Sequence, residues 1–427
     1  MLTSVRITLI LLLLATGMAW GQEVLTIDSC YSMAERNWPL VRQIDLIQGS
    51  NDLKIKNLNK NYLPQSNLGA SASIQSDVTE VSIPLPAGFG PLDMPELSKF
   101  WYKATLDVNQ ALWDGNVTGY SKKVEKYNLE VDQTVVRSEI YKLKERVNLI
   151  YFAVLMLDAN DTLLASNHDQ VSSKLKEMEV AVRNGAALQM NADALRAELI
   201  RIEQLMEESA ADRKAAIGML SELLGSRLDI KTRLVMPSPS VNSYLFENKR
   251  LENEIFTLQA SRLGVMRDMV TTKWNPKFFA YGQAGYGRPG LNMLEDDPAP
   301  WGLVGAKMTW NFWNWNANKN EKKILDIQAD IVRSQQSAFD RNLRIQAERD
   351  LAEIEKAEAV VKRDAEIIDL RNRVTKAASI QLDNGVITSS DYILRLREET
   401  QSRLNYVIHR IQLVKAKLNY LYNQGKL

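Results

Sequence analysis

The side chains that most often carry out chemistry in proteins are scarce in this chain of 427 residues. There are two histidines, His168 and His409, which lie far apart in the sequence, and a single cysteine, Cys30. One cysteine excludes an internal disulfide and any multi-cysteine metal site, and two distant histidines leave little for a zinc site. No Ser/His/Asp set and no glycine-rich phosphate loop stands out, and the carboxylates recur on predicted helix faces. We therefore expect no enzyme activity, no cofactor and no metal site.

The charge of the chain is nearly balanced, with 53 lysines and arginines against 52 aspartates and glutamates. Without a long basic run there is little electrostatic reason to expect nucleic acid as a partner. Hydrophobic residues make up 45% of the chain and charged residues 25%, so a large core can form.

Residues 1–21 have the pattern of a signal peptide for export. Arg6 precedes an apolar run over 7–15, and small residues stand before the expected cleavage near Gln22. The run is too short to cross a bilayer as a helix, which takes ~20 residues. No later stretch is predicted to cross a membrane as a helix. An exported protein of this kind that lives in a membrane must therefore cross it by β-strands.

The placement of proline and glycine predicts very long helices. Residues 96–236 contain no proline, and neither 120–184 nor 306–384 contains a glycine. At ~1.5 Å per residue, the first glycine-free stretch alone would be about 100 Å long as a helix. Apolar residues recur at spacings of three and four, which is typical of a coiled-coil seam. The seam residues are Val136, Ile140, Leu143, Val147, Ile150, Val154, Leu157, Leu164, Val171, Leu175, Met178 and Val182, then Leu404, Val407, Ile411, Val414, Leu418 and Leu421. His168 occupies a seam position and is interpreted as a packed, hydrogen-bonded residue.

The chain is also duplicated at an offset of 200 residues. Matching pairs are Trp101 and Trp301, Trp113 and Trp313, Asn116 and Asn316, Lys122 and Lys322, Asn184-Gly185 and Asn384-Gly385, and Glu198 and Glu398. The sequence of each half predicts a strand region, a long helix, an Asn-Gly turn and a returning helix, in that order. Because the tryptophan and the turn are equally far apart in both halves, the two helical hairpins should end at the same level.

Short alternating segments predict the strands. In each half, apolar residues at every second position face a mixed polar set, as in Leu68–Ile74, Tyr102–Val108, Phe278–Tyr286 and Val304–Trp310. Strands of ~9 to 12 residues suit a membrane-spanning barrel. Tryptophans near the strand ends predict an interfacial girdle of Trp101, Trp113, Trp301 and Trp313. The connecting loops, over 83–91 and 287–290, would face the cell exterior.

Four strands cannot close a barrel, and an open sheet edge in lipid leaves backbone groups without partners. The chain must then oligomerise. Two copies would supply eight strands, whose interior side chains fill, whereas three would supply twelve and leave a lumen.

These features together resemble the TolC-like outer-membrane efflux proteins over essentially the whole mature chain. The resemblance rests on Leu112-Trp113-Asp114-Gly115, Phe312-Trp313-Asn314-Trp315, the two Asn-Gly turns, Asn37-Trp38-Pro39-Leu40, Pro64 and Pro276. It implies a mixed α/β membrane protein, with a long coiled-coil α-helical barrel and four β-strands per chain that contribute to a shared trimeric transmembrane β-barrel.

The expected organisation follows the duplicated order. It comprises a signal peptide (1–21), N-terminal helices (22–66), a first outer-membrane β-hairpin (67–113), a first long helical hairpin (114–224), an inter-repeat equatorial segment and helix (225–273), a second outer-membrane β-hairpin (274–313), and a second long helical hairpin with the C-terminus (314–427).

The resemblance also implies a function, partners and a location. The chain would be the outer-membrane duct of a tripartite efflux or type I secretion system in a Gram-negative bacterium, extending into the periplasm. Its partners would be two further copies of itself, outer-membrane lipid, a periplasmic adaptor (membrane fusion protein) and an inner-membrane pump that exports drugs, metals or proteins. The alternative is a soluble or periplasmic coiled-coil adaptor or scaffold without a barrel, although an adaptor would carry one helical hairpin rather than two.

The resemblance further implies site residues. In the family, an acidic residue six places after the second tip glycine helps to close the periplasmic aperture. Here that residue is Asp391, and Leu394 replaces the next acidic residue of the family. The first-repeat counterparts are Asn191 and Asp193, and the adaptor-docking hairpin tips are Asn184, Gly185, Asn384 and Gly385. Two simpler interpretations stay open: Asp391 as a helix-start residue paired with Arg395, and Asn-Gly as a left-handed turn.

Overall fold

Long runs without proline or glycine form long helices in the computed structural model, which describes residues 24–79, 97–241 and 246–427. The helices are α1 (Ile27–Asn37), α2 (Val41–Asn59), α3 (Val117–Tyr141), α4 (Leu143–Arg183), α5 (Gln189–Leu224), α6 (Leu251–Met269), α7 (Ala317–Asp383) and α8 (Ser389–Asn423). The strands are β1 (Val24–Leu25), β2 (Gln65–Ile74), β3 (Phe100–Trp113), β4 (Arg233–Leu234), β5 (Lys277–Arg288) and β6 (Ala299–Thr309). The predicted signal peptide (1–21) and the first proline-rich loop (83–91) lie outside the described residues.

The described chain divides into two units. The helical unit comprises 24–44, 134–254 and 336–427, and the sheet unit comprises 45–133 and 255–335, each without the undescribed residues. The division cuts across the sequence repeat, because each unit takes segments from both halves.

In the helical unit, α4 and α5 form a helical hairpin whose seam is the predicted one. Val147, Val154 and Val171 are fully buried, while Ile150, Leu157 and Val182 are partly buried against the same cores. The core near the N-terminus also takes in α1 and the paired strands β1 and β4. Cys30 is fully buried there, and its burial raises the pKa of the thiol to about 12. The seam prediction is therefore confirmed at its central positions.

The first long helix is not continuous, contrary to the sequence-based expectation. A turn at Lys142 separates α3 from α4, although neither proline nor glycine is present. The backbone tightens there, since the Glu145 amide donates to the Lys142 carbonyl three residues earlier, at 3.2 Å. Neighbouring side chains are tied to the C-terminal segment: the Tyr141 hydroxyl donates to the Tyr422 carbonyl (3.0 Å) and the Lys144 ammonium to the Leu427 carbonyl (2.8 Å). By contrast, α7 runs for 67 residues without a break.

We expected no stretch after the signal peptide to be able to cross a membrane as a helix. By the criteria of helix length and composition alone, this expectation is wrong. An 18-residue window within Val117–Arg183 is long and apolar enough to do so, and 28% of it is buried within the chain. The same helical span carries the predicted coiled-coil seam, with Val147, Tyr151 and Val154 fully buried in the core. Coiled-coil packing therefore accounts for the apolar character of this span without a membrane.

The sheet unit contains one antiparallel sheet with the strand order β2-β3-β5-β6. The two predicted hairpins are thus joined edge to edge through β3 and β5. Its register puts apolar residues opposite each other: Leu68 faces Leu106, Leu106 also faces Ala284, and Ala280 faces Ala306. One face is mostly apolar on all four strands, with Ser66, Gln110 and Arg288 as its polar residues. Its apolar residues are Leu68, Ala70, Ala72, Ile74, Phe100, Tyr102, Ala104, Leu106, Val108, Phe278, Ala280, Ala284, Tyr286, Val304, Ala306 and Met308. Strands β2 and β6 form the two edges.

Candidate functional site

The two hairpin tips have the same backbone geometry. Gly185 and Gly385 have φ of 73° and 68°, so both lie in the left-handed region that favours glycine. At the first tip, the Gly185 amide donates to Val182 (3.0 Å) and the Ala186 amide to Ala181 (2.8 Å). The second tip repeats this pattern at 3.0 and 2.9 Å, so both helices end in a Schellman motif. The interpretation of Asn-Gly as a left-handed turn is therefore confirmed for the glycines, while Asn184 has φ −85°.

The tips are open to solvent. A Cβ built on Gly185 or Gly385 would meet no atom within 4 Å. The apolar side chains of Leu188, Met190 and Val386 are 65%, 65% and 70% exposed next to these turns. Each tip thus combines a fixed backbone with an accessible apolar surface.

Asp391 is a capping residue of α8. Its carboxylate accepts hydrogen bonds from the Thr388 hydroxyl (2.7 Å) and the Thr388 amide (3.1 Å), and its own amide donates back to the hydroxyl (3.2 Å). These bonds from the Thr388 side chain and backbone lower the pKa of Asp391. Arg395 pairs with Glu398 at 3.2 Å. The helix-start interpretation is correct, but Thr388 rather than Arg395 is the direct partner.

The first repeat uses its matching residue differently. Asn191 accepts a hydrogen bond from the Ser389 amide at 3.3 Å, so a side chain of α5 caps the first residue of α8. Asp193 is exposed and accepts from Gln189 at 2.9 Å. The structure therefore brings Asn191 close to the start of α8, where Asp391 lies, and leaves Asp193 on the surface of its own helix.

A buried carboxylate near the tips was not among the predicted site residues. Glu198 of α5 is 3% exposed, and its oxygens accept from Arg201 at 2.7 and 2.9 Å and from Arg397 of α8. Burial by itself raises the pKa of Glu198, but the hydrogen bonds from both arginines outweigh it and lower the pKa to about 2. The only signal in the sequence was its repeat match with Glu398, which says nothing about Arg397.

Ion pairs also tie α4 to the end of α7. Lys174 is 8% exposed, and its ammonium lies 2.7 Å from Asp383 and 2.8 Å from Glu177. His168 also pairs across the first hairpin, with Nε2 3.5 Å from Glu203. The seam of the hairpins therefore contains charged links as well as apolar contacts.

In the sheet unit, a β-bulge decides the position of Trp113. Pairing between β3 and β5 shifts at Leu112, so Trp113 is opposite Phe278, with ring centroids 6.1 Å apart. Because side chains alternate along a strand, Trp113 would otherwise share the polar face with Ala111. The extra residue moves it to the apolar face, where an interfacial tryptophan is expected.

Trp101 and Trp301 lie on the polar face instead. Trp101 is opposite Ser73, and Trp301 is opposite Gly285. This placement argues against lipid contact for these two girdle residues. Trp313 lies beyond the end of β6, is 62% exposed and packs edge-on against Trp315 at 5.6 Å.

In the part of the chain that the structure describes, no group of three or more His, Cys, Asp and Glu side chains is placed to hold a metal ion.

No family model and no curated protein sequence matches the chain, whereas solved structures match it along nearly its whole length. The outer membrane protein VceC of Vibrio cholerae is 11% identical with a TM-score of 0.66, over 93% of this chain and 96% of VceC. The CmeC outer membrane channel of Campylobacter jejuni is 12% identical with a TM-score of 0.65, over 96% and 90%. The MtrE outer membrane channel of Neisseria gonorrhoeae, in its open state, is 13% identical with a TM-score of 0.60, over 94% and 89%. The chain therefore has the fold of outer-membrane channel proteins, as the sequence resemblance predicted.

Proposed function

We propose that the chain is an outer-membrane exit duct of a tripartite efflux or type I secretion system, with its helices in the periplasm of a Gram-negative bacterium. The observation that carries the proposal is the apolar face that runs across all four strands. Leu68, Ile74 and Val304 on this face are 84%, 80% and 90% exposed. Water disfavours a continuous face of this kind, whereas lipid accommodates it. The fold shared with outer-membrane channels supports the same conclusion.

The two sheet edges support assembly as a homotrimer. In lipid, each unpaired backbone group on β2 and β6 would cost several kcal/mol, so the edges must pair with other copies. Three copies supply twelve strands, which leave a lumen, whereas eight strands are filled by side chains. Strand β3 has 14 residues. At ~3.3 Å per residue and a tilt of ~45°, such a strand would span about 30 Å, the thickness of a bilayer core.

Membrane extraction tests this assembly. We expect the protein in the outer-membrane fraction, soluble only with detergent, as a particle with the protein mass of three chains. A monomer that stays in solution without detergent would contradict the duct and favour the scaffold alternative.

We further propose that the hairpin tips dock the periplasmic adaptor. The support is the exposed apolar side chains of Leu188 and Val386 beside fixed turns. Replacing both by glutamate should abolish export and adaptor crosslinking while the trimer yield stays normal. Replacing Leu188 by methionine and Val386 by isoleucine, which keeps both side chains apolar, is the matched control and should retain export. Normal adaptor capture by the glutamate variant would contradict docking at this surface.

The periplasmic aperture is the third proposal, with Asp391 as its acidic residue and Asn191 and Asp193 as neighbours. Threefold symmetry would bring three copies of Asp391 together and favour cations. Single-channel recording of Asp391→Asn should then show reduced cation preference and reduced block by periplasmic divalent ions. Asp391→Glu retains both the charge and the capping pattern, so it should behave like the wild type. Unchanged selectivity in Asp391→Asn would remove Asp391 from the aperture and leave Asn191 and Asp193 to be tested.

The identity of the adaptor and of the inner-membrane pump can be tested directly. Affinity isolation with mild crosslinking should recover both with the protein. The same experiment with the two-glutamate tip variant provides its control.

A further inference from the structure

The polar face of the sheet carries a positive charge that the sheet does not compensate. The register places Lys103, Lys277, Lys307 and Asp107 on this face, and these are its charged residues within the four strands. Within the described ranges 24–79, 97–241 and 246–427, no carboxylate lies within 4.0 Å of any of the three ammonium groups. The Asp107 carboxylate is occupied, because it accepts from the Thr105 hydroxyl (3.1 Å) and from the Gln283 amide.

A cavity of about 530 Å³ opens on this face at the loop end of the strands. Its lining includes Ser71, Ser73, Lys103 and the two indoles of Trp101 and Trp301. A volume of this order is typical of sites for small organic molecules. Lys103, with its ammonium free of carboxylate partners among the described residues, thus contributes to the same cavity as two large aromatic surfaces.

Both indoles are held in place by their surroundings. The Trp101 ring nitrogen donates to the Ser98 carbonyl at 3.0 Å. The Trp301 ring packs over Gly285, where a Cβ would come within 2.6 Å of the ring and displace it. A ligand entering the cavity would therefore find aromatic surfaces that are already ordered, which lowers the entropic cost of binding.

The chemistry of the lining selects one class of ligand. Flat indole surfaces favour aromatic rings, and the unpaired ammonium of Lys103 favours a negative group on the same molecule. Indole faces alone would also attract cations, but the net positive charge of this face opposes them. We propose that the cavity formed by Trp101, Lys103 and Trp301 binds aromatic organic anions. The site rests on the proposed duct, in which the polar face lines the lumen.

Blocking of single channels in planar bilayers tests the site. The probe is 2-naphthalenesulfonate, added on the side of the strand loops. Its cationic and non-aromatic counterparts, 1-naphthylmethylammonium and methanesulfonate, are the ligand controls. We expect saturable block by 2-naphthalenesulfonate. The block should weaken at least about tenfold in Lys103→Gln, which removes a hydrogen bond to a charged group, and about two- to tenfold in Trp301→Leu, which removes an aromatic contact. Lys307→Gln removes the same charge elsewhere on the same face, and we expect it to change the block less than about twofold.

Three outcomes would overturn the inference and leave the proposed duct intact. The channels could conduct without being blocked by 2-naphthalenesulfonate, or 1-naphthylmethylammonium could block them equally well. The third outcome is that Lys103→Gln and Lys307→Gln weaken the block by 2-naphthalenesulfonate equally. The last result would mean that a diffuse field, rather than the cavity, attracts the anion. Failure of the wild type to form channels at all would refute the proposed duct itself, and the site with it.

Discussion

Glu198 should stabilise the junction between the two helical hairpins near their tips. Its carboxylate is buried and takes hydrogen bonds from Arg201 on its own helix and from Arg397 on α8. The pKa falls from an ordinary 4.5 to about 2, a difference of roughly 2.5 pKa units. At ~1.36 kcal/mol per unit this corresponds to about 3 kcal/mol of stabilisation, as an upper bound.

The sign of the pH dependence follows from the lowered pKa. The stabilisation is fully present above pH 4.5, the ordinary value, and it is lost progressively as the pH falls toward 2. The Glu198→Gln variant carries no charge at any pH. It should therefore lack this contribution at neutral pH and show none of this loss in acid.

Hydrogen exchange read by mass spectrometry measures the effect, because it reports local opening. In Glu198→Gln at pH 7, peptides covering 189–206 and 389–403 should exchange faster by up to about 300-fold, the factor that 2.5 pKa units represent. The matched control is Glu398→Gln, the repeat counterpart, whose side chain is 30% exposed beside Arg371 and Arg395. Partly exposed pairs of this kind contribute up to about 1 kcal/mol, so its exchange should rise about fivefold or less. Equal effects in the two variants would refute the assignment of Glu198 as the stronger link.

Three further results are expected. Gly385→Ala should destabilise the second hairpin by about 1 kcal/mol in chemical unfolding, because alanine must adopt φ near 68° in otherwise open space. Gly385→Asn should destabilise it less in the same experiment, since asparagine tolerates positive φ. Equal destabilisation by the two variants would contradict this conformational explanation. Thr388→Ala should destabilise the start of α8 by about 1 kcal/mol and raise the pKa of Asp391 toward its ordinary value. Hydrogen exchange of the first turn of α8 at several pH values measures both effects. Thr388→Ser should retain the cap and exchange like the wild type. Cys30 should resist a maleimide at pH 8 in the native protein and react fully in denaturant, because its thiol is buried and has a pKa of about 12. Rapid labelling of the native protein would show instead that the core around α1 opens.

Local patterns in the sequence were sufficient for the long helices and the strands. Helix extent depends on the absence of proline and glycine and on seam spacing, and strand faces depend on alternation, all of which are short-range properties. The tip glycines belong to the same class, because a positive φ at a helix end is a local requirement. The turn at Lys142 was not predicted, since it accompanies contacts of Tyr141 and Lys144 with the distant C-terminal segment.

The sequence by itself also determined that one face of the sheet would be apolar. Apolar and polar residues alternate along its strands in the pattern of membrane-spanning β-strands. Only the tertiary structure decided which face Trp113 occupies. The bulge at Leu112 turns Trp113 to the apolar side, while unbroken alternation leaves Trp301 on the polar side. The hydrogen bond between Glu198 and Arg397 could not be predicted from the sequence either, because it joins residues of different repeats that come together only when the hairpins pack. Periodicity fixes which side of an element a residue occupies, whereas register shifts and contacts between distant elements depend on how the whole chain packs.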